Sequence, residues 1–158
     1  MSTSSSTSEF STSLSISNQF EDLMRVSVWL EHMAQRYQLA EPTVFKLDLV
    51  LNEALPNIIS YAFDDDLRHD IVIKLEDHSD QVFLEIIDDG LPFDPFNPAP
   101  LPPGLHSLES ASINGRGIHL ITSYTDAQEY QYVNNLNIMR VAIDKASVLN
   151  KRSAENIS

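Results

Sequence analysis

Residues 71–90, IVIKLEDHSDQVFLEIIDDG, decide the fold class of this chain. Residues 71–75 and 82–87 are rich in β-branched and aromatic side chains, and the polar segment Asp77-His78-Ser79-Asp80 separates them, which predicts a hairpin of two strands. Residues 128–133 and 137–143 form a second predicted hairpin that turns at Asn134-Asn135. Because neighbouring strands in hairpins pair antiparallel, the sheet is expected to be mostly antiparallel.

Helical periodicity dominates the sequence before the first hairpin. Apolar side chains recur at three- and four-residue steps over residues 20–37, and Asn18 with Glu21 resembles a capping box at the start of this helix. Pro42 suits the first turn of a second helix. Alternation in residues 10–16 predicts a short strand ahead of both helices. The order of elements predicts an α+β two-layer sandwich, with a mixed, mostly antiparallel sheet backed by helices.

The composition limits the function classes that fit the chain. Its 158 residues suffice for one domain, and its net charge of −13 argues against direct binding to nucleic acid or to an anionic membrane surface. The absence of cysteine excludes disulfides, thiolate metal sites and a cysteine nucleophile. We expect residues 1–9 to be disordered, residues 145–158 to be a polar tail, and the protein to be soluble and cytoplasmic.

The second predicted helix carries the first candidate site motif. Glu53 and Asn57 are four residues apart and therefore share a helix face. The amide oxygen of Asn57 suits Mg²⁺, which prefers oxygen ligands, and Glu53 can act as a general base for a hydroxyl or water that attacks a γ-phosphate. The structural alternative is that both residues are solvated side chains of an exposed helix face.

The second motif follows the apolar strand of the first hairpin. A carboxylate at Asp88 can accept a hydrogen bond from the 6-amino group of adenine, and Gly90 allows the backbone to pass close to a flat base. The alternative is an ordinary Asp-Asp-Gly turn that closes the strand.

The third motif opens a predicted helix over residues 116–124. Gly115, Arg116 and Gly117 precede the apolar Ile118, so free backbone N–H groups and one positive charge are available for phosphate. The alternative is a helix start after a flexible loop, and residues 91–112 with their six prolines are predicted to be such a long loop. Three of the four glycines of the chain lie in the second and third motifs, which favours a nucleotide site.

In this order the motifs Glu-x-x-x-Asn, Asp-x-Gly-x-Pro-Phe-Asp-Pro and Gly-x-Gly-Ile-His-Leu-Ile resemble the histidine-kinase-like ATPase superfamily. Within it the chain is most similar to the small anti-sigma factor serine/threonine-protein kinases, over roughly residues 10–143. The resemblance implies that residues 10–144 form one ATP-binding kinase-like domain that uses ATP and Mg²⁺. It implies that Glu53 is the general base, that Asn57 is the Mg²⁺ ligand, and that the nucleotide meets Asn57, Asp88, Gly90, Gly115, Arg116, Gly117 and Ile118.

The resemblance also implies partners. In that family ATP phosphorylates a serine on a small antagonist protein, which competes with a sigma factor for the kinase, and the first helix and its strand help to form a homodimer. Pro56 lies between Glu53 and Asn57, removes one helical hydrogen bond and is expected to bend the helix. We therefore expect either an active kinase that switches partner sequestration, or a non-catalytic nucleotide-binding module that titrates a partner. A plain interaction domain with a decayed site is the third possibility.

Overall fold

A computed structural model describes residues 10–96 and 119–146, and the remaining residues, 1–9, 97–118 and 147–158, lie outside the described part. The predicted disordered segment 1–9 and most of the predicted tail 145–158 stay predictions for this reason. The described elements, in chain order, are β1 (Phe10–Ser17), a short 3₁₀ turn (Phe20–Asp22), α1 (Leu23–Arg36), α2 (Glu41–Tyr61), β2 (Asp70–Asp77), β3 (Gln81–Asp88), a helical segment over residues 119–124, β4 (Ala127–Val133) and β5 (Leu136–Asp144).

The described strands form a single sheet in the order β1-β2-β3-β5-β4, and each neighbouring pair is antiparallel. Both predicted hairpins are present. Asn134 and Asn135 have φ angles of 54° and 64°, the left-handed conformation that a two-residue hairpin of this twist requires and that asparagine tolerates. The predicted α+β class is confirmed.

One face of the sheet carries the core. Alternate residues of β3 and β5 point toward the helices, while the intervening residues face the other side, as the two-residue period of a strand dictates. The two helices bury one side each against this face. The buried apolar residues of these four elements are Val26, Leu30, Leu47, Val50, Leu51, Ala54, Leu55, Val82, Leu84, Ile86, Met139, Val141, Ala142 and Ile143.

Helix α2 carries the first candidate motif. Pro42 lies in its first turn, where the missing N–H has no helical partner to lose. Pro56 lies inside the helix, yet the helix continues past it to Tyr61 and ends at Ala62, whose N–H donates to the carbonyl of Ile58. The residues that flank Pro56 in the motif, Glu53 and Asn57, therefore lie on one continuous helix.

The capping box expected at Asn18 and Glu21 is wrong. A 3₁₀ turn precedes α1. Gln19 at the start of the turn and Asp22 at the start of α1 make no side-chain capping hydrogen bond. Asn18 instead exchanges two hydrogen bonds with the backbone of His69, at 2.9 and 3.0 Å. Asn18, which follows β1, therefore pairs with His69, which precedes β2, instead of capping the helix.

The described ranges, 10–96 and 119–146, contain no helix whose length and apolar character would allow it to cross a bilayer.

Candidate functional site

Glu53 and Asn57 lie one helical turn apart on α2. Both side chains are half-buried, on the flank of the stripe formed by Val50, Ala54 and Leu55, which packs into the core. Four residues of helix correspond to a rise of about 6 Å, so the carboxylate and the amide project from neighbouring turns toward one side. Because the carboxylate and the amide lie on the same half-exposed helix face, both can contact one ligand.

Asp88 is the last residue of β3 and is almost fully buried, with 5% of its surface exposed. Its Oδ1 accepts hydrogen bonds from the N–H of Gly90 at 2.8 Å and from Nδ2 of Asn137 at 3.0 Å. Burial raises the pKa of this carboxyl above its ordinary value, the two hydrogen bonds oppose that rise, and the charge of Asp89 adds to it. Every hydrogen bond that the described residues make to this carboxylate falls on Oδ1, so Oδ2 stays available to an outside donor.

Gly90 brings the segment after β3 against the end of α2. The N–H of Leu91 donates to the carbonyl of Ala62 at 2.8 Å. A Cβ on Gly90 would lie 2.6 Å from both Cβ and the carbonyl oxygen of Ala62, closer than packed atoms can approach. The sequence predicted that this glycine makes room for a flat base, whereas the close contact recorded at this position is with Ala62.

The contact between Gly90 and Ala62 relates the first two motifs in space. Asn57 precedes Ala62 by five residues, which is about 7.5 Å along the helix axis. Along the helix axis Asn57 therefore lies about 7.5 Å and Glu53 about 13.5 Å from the residue that contacts Gly90, although all of β2 and nearly all of β3 separate the two motifs in the sequence.

His69 joins the same two segments a second time. Its Nε2 lies 2.7 Å from Asp65, in the loop after α2, and its Nδ1 lies 3.0 Å from Asp89, beside Asp88. The imidazole also stacks on Phe63, with ring centroids 4.3 Å apart. The hydrogen bond that His69 donates to Asp65 is the largest cause that raises the pKa of His69, and Asp89 adds to this rise while partial burial opposes it.

Sequence reasoning missed Asn137 and Tyr130. Asn137 lies directly opposite Asp88 in the pairing of β3 with β5 and is buried. Its side chain bonds to Asp88 and to the hydroxyl of Tyr130 on β4. The signal was present in the sequence, because Asn137 occupies the inward phase of a strand whose other inward residues, such as Met139 and Val141, are apolar.

The third motif cannot be placed. Gly115, Arg116, Gly117 and Ile118 lie outside the described residues, so the phosphate site stays a prediction. Residues 119–124 are helical, which confirms the later part of the helix predicted over residues 116–124. Ile121 of this segment is fully buried in the core.

An antiparallel sheet with helices on one face, a Glu-x-x-x-Asn pair on a helix and a buried aspartate at an inner strand end together define an ATPase domain of the histidine-kinase type. Residues 16–143 match the family model described as "Histidine kinase-like ATPase domain", and the chain belongs to this family. Membership confirms the resemblance inferred from the three motifs and implies an ATP site.

One curated protein has a sequence similar to that of this chain. The chain is 37% identical over 103 residues, 65% of its own length and 72% of the relative's, to "Serine/threonine-protein kinase BtrW" of Bordetella bronchiseptica. This similarity supports a kinase-like regulatory role.

Proposed function

We propose that the protein is an ATP-dependent serine/threonine-protein kinase that phosphorylates a small antagonist protein and so switches which partner it sequesters. One observation carries the proposal: α2 presents Glu53 and Asn57 one turn apart, and the same helix is fixed at Ala62 to the segment that follows Asp88. The name of the 37% identical relative, a serine/threonine-protein kinase, supports the reaction class.

In this proposal the adenine base lies against the end of β3. Oδ2 of Asp88 accepts a hydrogen bond from the 6-amino group, since Oδ1 is already occupied by Gly90 and Asn137. The backbone N–H groups of Gly115 and Gly117, with Arg116 and Ile118 beside them, are the expected phosphate contacts.

Asn57 fits a magnesium ion as one ligand among several. Its amide oxygen is the type of donor that Mg²⁺ accepts together with phosphate oxygens and waters. Among residues 10–96 and 119–146 there is no group of three or more His, Asp or Glu side chains that could hold a metal, so an ion at Asn57 would depend on the nucleotide for further ligands. When bound, the ion would neutralise phosphate charge.

Glu53 supplies the proton acceptor of the transfer step. Its carboxylate takes the proton of the antagonist's serine or threonine hydroxyl, the hydroxyl oxygen bonds to the γ-phosphorus, and the bond between that phosphorus and the bridging oxygen of ADP breaks. The products are the phosphorylated antagonist and ADP. Half-exposure of Glu53 is compatible with access by a protein substrate.

The partner surface proposed here is the groove between α1 and α2. Its apolar lining includes Met24 and Phe45, which are 73% and 48% exposed. Glu31, Glu41 and Asp48 also line it, and among the described lining residues there is no lysine or arginine. These features support a protein partner with apolar and basic side chains, such as the antagonist, a sigma factor or another regulator. In the resembled family the first helix and its strand help to form a homodimer, and we expect the same role for α1 and β1.

Pro56 favours a second candidate function. Because Pro56 has no N–H to donate to the carbonyl of Asn52, the helix lacks one hydrogen bond in the turn that carries Glu53 and Asn57, and Glu53 can be displaced from the hydroxyl while nucleotide binding is retained. A shift of about 1 Å in catalytic geometry costs on the order of a hundredfold in rate. The alternative is therefore a non-catalytic nucleotide-binding module that acts by partner titration.

Phosphoryl transfer from radiolabelled ATP to candidate antagonist proteins separates the two functions. We expect Glu53→Gln to abolish transfer and to preserve ATP affinity, whereas Glu129→Gln, which changes an exposed carboxylate on β4 outside the proposed partner groove, leaves both unchanged. Asn57→Ala should lose the Mg²⁺-dependent part of ATP affinity, and Asn52→Ala, whose exposed amide bonds only to Asp48 among the described residues, is its control. Tight ATP binding with no transfer to any cognate antagonist would favour the titration module.

A further inference from the structure

We infer that Asn137 is the positioning residue of the adenine site: its side chain orients the carboxylate of Asp88 and holds the segment 90–93, so that one carboxylate oxygen faces the base amino group. This inference rests on the proposed nucleotide site. It adds a residue that lies on the last strand, 49 positions from Asp88 in the sequence.

The amide nitrogen of Asn137 holds three acceptors. Nδ2 lies 3.0 Å from Oδ1 of Asp88, 3.2 Å from the carbonyl oxygen of Gly90 and 3.0 Å from that of Leu91. Two amide protons are shared among these oxygens. One buried side chain therefore ties the carboxylate to Gly90 and Leu91, the second and third residues after it.

The amide oxygen of Asn137 faces donors on the opposite side. Oδ1 accepts a hydrogen bond from the N–H of Phe93 at 3.1 Å and another from the hydroxyl of Tyr130. The N–H of Phe93 also lies 3.1 Å from that hydroxyl oxygen. Acceptors surround the nitrogen and donors surround the oxygen, so only one orientation of the amide satisfies the site.

This arrangement has a consequence for base selection. Asp88 receives two donors on Oδ1, and among the described residues no donor occupies Oδ2, which in this proposal accepts from the base. Adenine offers a donor at its 6-position, whereas hypoxanthine offers a carbonyl oxygen that a carboxylate repels. Asn137 also opposes the rise in the pKa of Asp88 caused by burial and by Asp89, and so helps to keep the acceptor ionised.

Calorimetric titration of the full chain with ATP and with ITP tests the inference. We expect Asn137→Ala to lower ATP affinity by about tenfold or more while ITP affinity changes by less than about twofold, because only the amino-group contact is lost. The pH at which ATP binding fails on acidification should rise, since Asp88 loses a donor that lowers its pKa. Tyr130→Phe should lower the ratio of ATP affinity to ITP affinity (the ATP/ITP ratio) by a smaller factor. Tyr132→Phe, which changes an exposed tyrosine on the same strand, should leave this ratio unchanged.

The outcomes separate the inference from the function on which it rests. A folded Asn137→Ala protein with the wild-type ATP/ITP ratio and pH profile would overturn the positioning role and leave the nucleotide site intact. Wild-type protein that binds neither nucleotide would overturn the proposed site itself. If Asn137→Ala shows no thermal unfolding transition, Tyr130→Phe decides, and an unchanged ratio in that variant overturns the inference.

Discussion

Replacement of Asp88 by Asn should weaken ATP binding and leave the fold at least as stable, two effects of opposite sign. The amide oxygen of the variant can still accept from the N–H of Gly90 and from Nδ2 of Asn137, which lie at 2.8 and 3.0 Å from Oδ1 in the wild type. The second oxygen becomes an NH₂ group, which faces the base amino group donor to donor. Loss of one hydrogen bond to a charged acceptor costs about 1.5–3 kcal/mol, or roughly 10- to 150-fold in the dissociation constant.

The effect on stability follows from the pKa of Asp88. Burial raises this pKa above its ordinary value of 3.8, so the native state binds more protons than the unfolded state between the ordinary and the raised value. Stability therefore falls as pH rises through this window, and the ionised carboxylate is a net cost above it. Asn cannot ionise, so the variant should lack this decline and should not melt below the wild type at neutral pH.

Two measurements on the same samples examine the prediction: calorimetric titration with ATP and Mg²⁺, and thermal unfolding followed by circular dichroism across the acidic and neutral range. Asp80→Asn is the control, because Asp80 is exposed and precedes β3 at the end of the strand opposite to Asp88. Wild-type ATP affinity in Asp88→Asn would refute the assignment of Oδ2 to the base. A fall in melting temperature well beyond that of the control would refute the argument that burial dominates the pKa.

Three further perturbations have defined outcomes. Gly90→Ala places a Cβ 2.6 Å from Ala62 and should destabilise the fold by about 1–3 kcal/mol in urea unfolding, whereas an unchanged midpoint would mean that the loop moves aside freely. Arg140 forms ion pairs with one carboxylate of β2 at 3.3 Å and one of β3 at 3.1 Å, and its guanidinium group lies over the ring of Phe83 at 4.3 Å. Arg140→Ala should lower the free energy of unfolding by about 1 kcal/mol, and by less in high salt. A loss that does not depend on salt would exclude the ion pairs as its cause. The pKa of His69 is raised, so its ion pairs stabilise the fold fully below pH 6.5, and this stability is lost as pH rises through the raised pKa. His69→Gln should therefore make the melting temperature nearly independent of pH across that interval. A variant whose melting temperature falls with pH as steeply as that of the wild type would contradict this.

Local signals in the sequence were sufficient for the secondary structure. Residues 82–87 predict a strand because they are rich in β-branched and aromatic side chains, and the structure buries alternate residues of this strand. The Asn134-Asn135 pair predicts the second hairpin, because both residues tolerate positive φ. Glu53 and Asn57 are four residues apart, close to one helical turn, so their spacing predicts a shared helix face.

Contacts between distant segments were beyond such signals. The sequence favoured Asn18 as a helix cap, and its pairing with His69, 51 positions away, replaced that role. Gly90 looked like a site for close approach of a ligand, and the atoms that exclude a side chain there belong to Ala62 at the end of α2.

The sequence by itself determined the elements, the α+β class and the residue types of a nucleotide site, because strand period, helix period and turn chemistry are properties of a few consecutive residues. Only the tertiary structure decided which oxygen of Asp88 accepts the hydrogen bonds of the described residues. That depends on Asn137, which reaches Asp88 because β5 pairs with β3 in one particular register. Register is set by the burial of whole strand faces against α1 and α2, so no short stretch of sequence contains it.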